Sequence, residues 1–256
     1  MCFFDRQGIP KALVRHYSES KGNEIQVASR RSRGLRISHL FHRKKQPDIV
    51  QTRDKEARED NSSQFDDDLL MLRNYCFVSV GKGKRTFEMH ALVQLATKKW
   101  LEAHGQLERW RQQSVRNLCA AFPSGEYENW MKCEELFPHT KLAAAQRPEE
   151  QDSLKDWASI LYKAAWYAWR KGYLHDAEVM SLKSMEARSS LFGQKHEDTL
   201  NSIDMASYAY SLGGQWDRAE ELAIQVTAIR KNVLGLDNLF VVHGGDAASW
   251  GWGFVG

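Results

Sequence analysis

Gly172-Tyr173-Leu174-His175-Asp176-Ala177-Glu178 and Gly214-Gln215-Trp216-Asp217-Arg218-Ala219-Glu220 are one pattern written twice, 42 residues apart. The same offset carries Arg188 to Arg230 and Gly193 to Gly235, and it moves Leu161 to Ile203, Met180 to Leu222 and Leu182 to Ile224. A fixed period of this size, with apolar residues at helical spacing, is the signature of stacked helical hairpins, each burying its apolar face against its neighbours. The pairs are predicted as 154–170 with 175–191 and 199–212 with 217–234, turning at Gly172 and at Gly213-Gly214. Arrays of this kind bind other proteins rather than carry out chemistry. Two units are few for such an array, so the 217–234 helix is expected to keep an exposed apolar face, relieved by self-association.

Upstream of the repeats the periodicity changes. Asp66-Asp67-Asp68 suits the positive end of a helix, and Leu69, Leu70 and Leu72 supply its apolar face. Residues 75–80 are β-prone, 81–84 read as a turn, and 85–89 as the returning strand. An amphipathic helix is predicted over 90–104, with Leu92, Val93, Leu95, Ala96, Trp100 and Leu101 on its apolar face and Gly105 closing it. Helix, strand, turn, strand, helix is the wing half of a winged-helix domain. Further helices are expected at 107–122 and, broken by Pro138, at 126–137 and 140–145. Residues 1–20 carry helical spacing through Ile9, Leu13 and Val14, with Pro10 in a first turn.

The expected organisation is therefore mostly α. The start of the winged-helix region spans 1–20, a disordered insertion 21–64, and the winged-helix end 66–104. Linking helices follow at 105–148, two repeats at 153–235, and an irregular, disordered tail at 236–256. Segment 21–64 is polar and aperiodic, with too little apolar surface to offset the entropy of ordering. Within it, residues 30–45 hold seven basic side chains and no acid, while outside that run 29 basic face 33 acidic residues. The run lacks the interleaved aromatics that stack on bases, and reads as a solvated linker. No apolar run approaches the length of a membrane span, and no signal peptide is visible. Four scattered cysteines without a C-x-x-C pair point to reduced thiols and a cytoplasmic protein.

With these residues in view, the repeats resemble tetratricopeptide repeats of the kinesin-light-chain type. That family's linker pattern is matched by Leu191-Phe192-Gly193-Gln194-Lys195-His196-Glu197-Asp198-Thr199-Leu200, with Glu197 in place of a proline. Phe87-Glu88-Met89-His90 resembles the Met-His-Asp motif that ends the winged-helix subdomain of NB-ARC nucleotide-switch proteins, and fungal NLR-like members join such a domain to these repeats. Residues 3–10 and 160–170 are similar to segments of the same family. The resemblance implies that His90 matches the histidine that contacts bound ADP, although Ala91 stands where the motif has Asp. It also implies that this chain is the C-terminal piece of a switch ATPase. The Gly81-Lys82 and Gly83-Lys84 pairs lack the upstream glycine of a phosphate-binding loop, so neither ATPase activity nor a cofactor is expected of the chain itself.

The function expected is non-catalytic protein–protein interaction in the regulatory end of an NLR-like protein. Tyr167, Arg170, Asn201 and Tyr208 are the residues expected to hold a peptide or helix on the concave repeat face. The aromatic cluster of Trp157, Tyr162, Trp166, Tyr167 and Trp169 offers a peptide-binding surface as the lesser reading. Tyr162, Trp166 and Trp169 share one helical face and are expected mostly in the inter-helix core, with Tyr167 projecting roughly 100° away towards the groove. Two other readings are weighed. A kinesin-light-chain-like adaptor would add heptad repeats, and none are present. A DNA-binding winged helix would read bases through 91–99, where Lys98 and Lys99 are the only cations. Cys133 with His139 lacks an orienting third group, no metal-ligand spacing occurs, and the G-x-G-x-x-G at 251–256 has no helix after it.

Overall fold

The computed structural model describes residues 1–14, 65–81 and 85–234. The insertion expected at 21–64, its basic run and the tail at 236–256 lie outside the described residues. The chain divides into two compact units, 1–121 and 122–256.

In the first unit, strands β1 (Ile9–Pro10), β2 (Val78–Val80) and β3 (Thr86–Met89) form an antiparallel sheet in the order β1-β3-β2. Phe87 sits on the middle strand, opposite Ile9 on one side and Val80 on the other. The helical spacing expected through Ile9 is thus corrected: Ile9 and Pro10 form an edge strand, and the helical residues begin at 11. An edge position tolerates a proline because the missing N–H would face away from the partner strand. The ladder continues as Lys11 N–H donates to the Arg85 carbonyl at 2.8 Å, and Met89 N–H to that of Arg6 at 2.8 Å. A helix at 65–74 precedes β2, and α1 (Ala91–Ala103) and α2 (Leu107–Ala121) follow β3. Phe3, Phe4, Ile9, Leu13, Val78, Phe87, Val115 and Leu118 are all buried in this unit. Asn117 Nδ2 donates to the Leu13 carbonyl at 2.8 Å, so α2 is bound to the first residues of the chain.

Helix α1 departs from its predicted face. Leu92, Leu95 and Trp100 are exposed, and Leu101 alone is fully buried. Two polar anchors set the rotation instead. Gln94 Nε2 donates to the Phe4 carbonyl at 3.1 Å, and Lys98 Nζ lies 5.9 Å from the centre of the Phe3 ring.

In the second unit the described residues form helices joined by short turns. A short 3-10 turn (Tyr127–Asn129) leads into α3 (Trp130–Ala144), followed by hairpins α4 (Gln151–Lys171) with α5 (Leu174–Phe192) and α6 (Glu197–Leu212) with α7 (Trp216–Leu234). Helix α3 runs unbroken through Pro138, correcting the predicted interruption. An internal proline costs a helix roughly 3 kcal/mol. Burial of Cys133, Leu136, Phe137, Thr140 and Ala143 on the same helix outweighs it.

Both hairpins turn in the same way. Gly172 and Gly214 take the left-handed conformation (φ 75° and 73°) that side chains disfavour. Tyr173 N–H donates to the Ala168 carbonyl at 2.8 Å, and its repeat counterpart Gln215 donates to that of Tyr210 at 2.9 Å. Small buried residues, among them Ala158, Ala165, Ser181, Ser184 and Ala187, let the helices approach closely.

Candidate functional site

Three aromatic side chains meet where the first helices of the two hairpins run side by side. Trp166 and Trp169 on α4 stack with ring centres 5.3 Å apart. Tyr208 on α6 lies 6.2 Å from the first and 5.8 Å from the second. Trp166 and Tyr208 are repeat counterparts, so the shelf joins equivalent positions of successive units. Trp166 and Trp169 are half-buried, and Tyr208 is 45% exposed. The Arg170 guanidinium lies 5.4 Å from the Trp166 ring centre and pairs with Glu126 at 3.0 Å. A cation on an indole face is favourable.

Of the residues expected to contact a partner, Tyr208 and Arg170 belong to this shelf. Asn201 lies two turns away on α6, half-buried, with its Oδ1 accepting from Arg230 Nη2 at 3.1 Å. Tyr167 is a correction: only 1% exposed, it packs against Phe137 with ring centres 5.2 Å apart and against Trp130 at 6.4 Å. Helix α3 covers the side of α4 that carries Tyr167. The stripe thereby exchanges roles, with Tyr167 in the core and Trp166 and Trp169 at the surface. Trp157 is buried and donates through Nε1 to the Ala143 carbonyl at 2.7 Å.

Burial pushes the Tyr167 phenol up to about 12, with the charges of Glu134, Tyr173 and Cys133 adding to the shift. The folded value exceeds the unfolded one near 10, so the folded state keeps a proton that the unfolded chain has lost. This contribution is complete below pH 10 and disappears as pH rises through about 12. Tyr167→Phe is therefore expected to lose less stability between those values than the parent chain in denaturant titrations. Parallel losses would exclude Tyr167 as the titrating group.

His90 caps α1: its Nδ1 accepts from Leu92 N–H at 3.2 Å, and the side chain is exposed. His196 does the same for α6, accepting from Asp198 N–H at 3.2 Å. Burial pushes the Cys133 thiol up, opposite to the activation a nucleophile needs, and its Sγ donates to the Ser124 carbonyl at 3.5 Å. Among the described residues, no cluster of His, Cys, Asp or Glu could hold a metal ion, and no helix is long and apolar enough to cross a membrane.

Between the hairpins lies a buried polar seam. Arg188 Nη1 on α5 donates to the Asp198 carbonyl at 2.9 Å and to Ser202 Oγ at 3.1 Å on α6, with its guanidinium 4.7 Å from the Tyr162 ring centre on α4. Arg230, its counterpart on α7, turns to the side chains of α6 instead, donating to Asp204 at 2.6 Å and Glu197 at 3.3 Å.

Comparison with known proteins agrees with this architecture. A tetratricopeptide-repeat family model matches residues 199–239. A nucleotide-binding leucine-rich repeat (NLR)-like protein of the fungus Hyaloscypha variabilis is 29% identical over 148 residues, 56% of this chain. Those residues span only 15% of that relative's length. No solved structure matches the chain. The chain is thus similar to a fungal NLR-like protein and carries a tetratricopeptide-type repeat, a fold that supports protein interaction.

Proposed function

We propose that the chain is the regulatory, partner-binding portion of an NLR-like protein, and that the Trp166–Trp169–Tyr208 shelf receives the partner. The observation that carries this reading is the shelf itself: three large aromatics in mutual contact and open to solvent, on helices whose other apolar side chains are largely buried. Tryptophan, tyrosine and arginine are the residues most enriched where binding energy concentrates. Asn201 and the Arg230–Asp204 pair would then form the polar continuation of the same face. The role is non-catalytic: the shelf offers area and one cation, without an acid–base pair or nucleophile.

Selection of a displayed peptide library on the full chain, followed by titration of the enriched peptides against the parent, Trp169→Ala and Tyr208→Ala, tests the assignment. Peptides so enriched are expected to weaken about 30-fold on Trp169→Ala or Tyr208→Ala, the loss of about 2 kcal/mol typical of an anchoring aromatic. Peptides insensitive to both changes would place the binding surface elsewhere.

The DNA-binding alternative is disfavoured by charge. On the helix expected to read bases at 91–99, Lys99 pairs with Glu102 at 2.7 Å, and the helix before the wing hairpin is 65–74. Asp66, Asp67 and Asp68 are exposed on it, and carboxylates there repel a phosphate backbone.

A further inference from the structure

The outer face of α7 is built like a palindrome. Glu220, Ala223, Ile224, Thr227, Ala228 and Lys231 follow one another at steps of three and one, which places them on a single helical face. The repeat shows what such a face does when covered. On α5 the counterpart of Ala223 is Ser181, fully buried, and that of Ile224 is Leu182, half-buried, because α6 lies against them. On α7, Ala223 is exposed and Ile224 is 61% exposed. The opposite side of α7 is satisfied within the unit: Val226 joins Leu200 and Ile203 in a buried cluster flanked by Leu222 and Ile229.

We propose that this face binds a second copy of the chain, with the two α7 helices antiparallel about a two-fold axis between Gln225 and Val226. That axis sets Glu220 against Lys231 of the second copy, Ala223 against Ala228, and Ile224 against Thr227, each pair occurring twice. The charges complement only in this orientation; a parallel pairing would set like against like. Among the described residues neither Glu220 nor Lys231 has an ion-pair partner. The alanines allow the close approach that helix pairs need. The Thr227 hydroxyl donates to the Ala223 carbonyl at 2.8 Å, so no polar hydrogen is stranded when the face is covered. This surface is separate from the aromatic shelf, and either assignment stands without the other.

One helix pair buries less than a standard interface, so the dimer is weak, with a dissociation constant of roughly 10–100 µM. Sedimentation equilibrium of the full chain from about 1 to about 300 µM brackets that range. Glu220→Lys and Lys231→Glu are each expected to weaken association about tenfold, since every attraction becomes a repulsion and symmetry doubles it. The doubly swapped chain recovers the parent affinity, because the pairs are re-formed with signs exchanged. Ile224→Asp abolishes association at the centre of the face, and circular dichroism confirms unchanged helicity for every variant. The proposal is overturned by a parent chain that stays monomeric throughout, as it would if the chain's own residues beyond 234 or another protein cover the face. Single swaps without effect, or a double swap no better than the singles, overturn it equally.

Discussion

Arg188→Ala is expected to destabilise the repeat unit by about 3–4 kcal/mol, measured by chemical denaturation. Arg188 is 6% exposed, and its guanidinium ties three helices together, reaching the Asp198 carbonyl and Ser202 Oγ on α6 and the Tyr162 ring on α4. Hydrogen bonds from a charged donor contribute about 1.5–3 kcal/mol, and truncation also empties the volume of the buried stem. Arg230→Ala provides the internal control at the equivalent repeat position. Its carboxylate partners Asp204 and Glu197 are 25% and 55% exposed, so water replaces the lost bonds. Arg230 is as buried as Arg188, at 5% exposed, so truncation empties a comparable stem and the expected cost is about 2 kcal/mol, lower because its partners are rehydrated. Equal losses at the two positions would show that the forward bonds of Arg188 onto the next hairpin contribute little.

Gly125→Val is expected to cost about 3 kcal/mol or more and to weaken partner binding at the shelf together with stability. A Cβ at position 125 would lie 2.8 Å from the Tyr167 backbone nitrogen, 2.9 Å from Trp166 Cδ1 and 3.2 Å from Tyr167 Cα. Two of these atoms are helix backbone and cannot rotate aside, and the Gly125 carbonyl is itself held by Trp130 Nε1 at 3.2 Å. Relief requires α4 to shift, which moves Trp166 and Trp169 together away from Tyr208. Gly125→Ala meets the same atoms with a smaller group and should cost about 2 kcal/mol. Thermal denaturation with peptide titration reads both effects. A valine variant of parent stability would mean that the 122–129 segment can slide over α4.

The hairpins were legible because their information is local. Gly172 and Gly214 punctuate the period, and the turns they close share the left-handed glycine and the matching bonds from Tyr173 to Ala168 and from Gln215 to Tyr210. Strands β2 and β3 were legible for the same reason, from a β-prone run on each side of Gly81. Other features depend on distant segments. Strand β1 exists because β3 offers an edge 76 positions later, through the pairing of Pro10 with Thr86. Helix α1 presents Leu92 and Leu95 to solvent because Phe4 and Phe3 anchor its polar side, and no periodicity within α1 contains that fact.

The shelf was half legible. Tyr208 was read as exposed, and the 42-residue offset pairs it with Trp166, so the same offset should have placed Trp166 at the surface. The helical period misled because α4 is packed by α3, α5 and α6, so the neighbours that cover each side, and not the period alone, decide which of its aromatics are buried.

By itself, then, the sequence determined that this chain repeats a helical hairpin and where each hairpin turns, since glycine punctuation and apolar spacing act within a few residues. Tertiary structure alone decided which aromatics of α4 are core and which are surface. Phe137 and Trp130 of α3 settle on Tyr167, and burial goes to the side chains that another helix happens to cover.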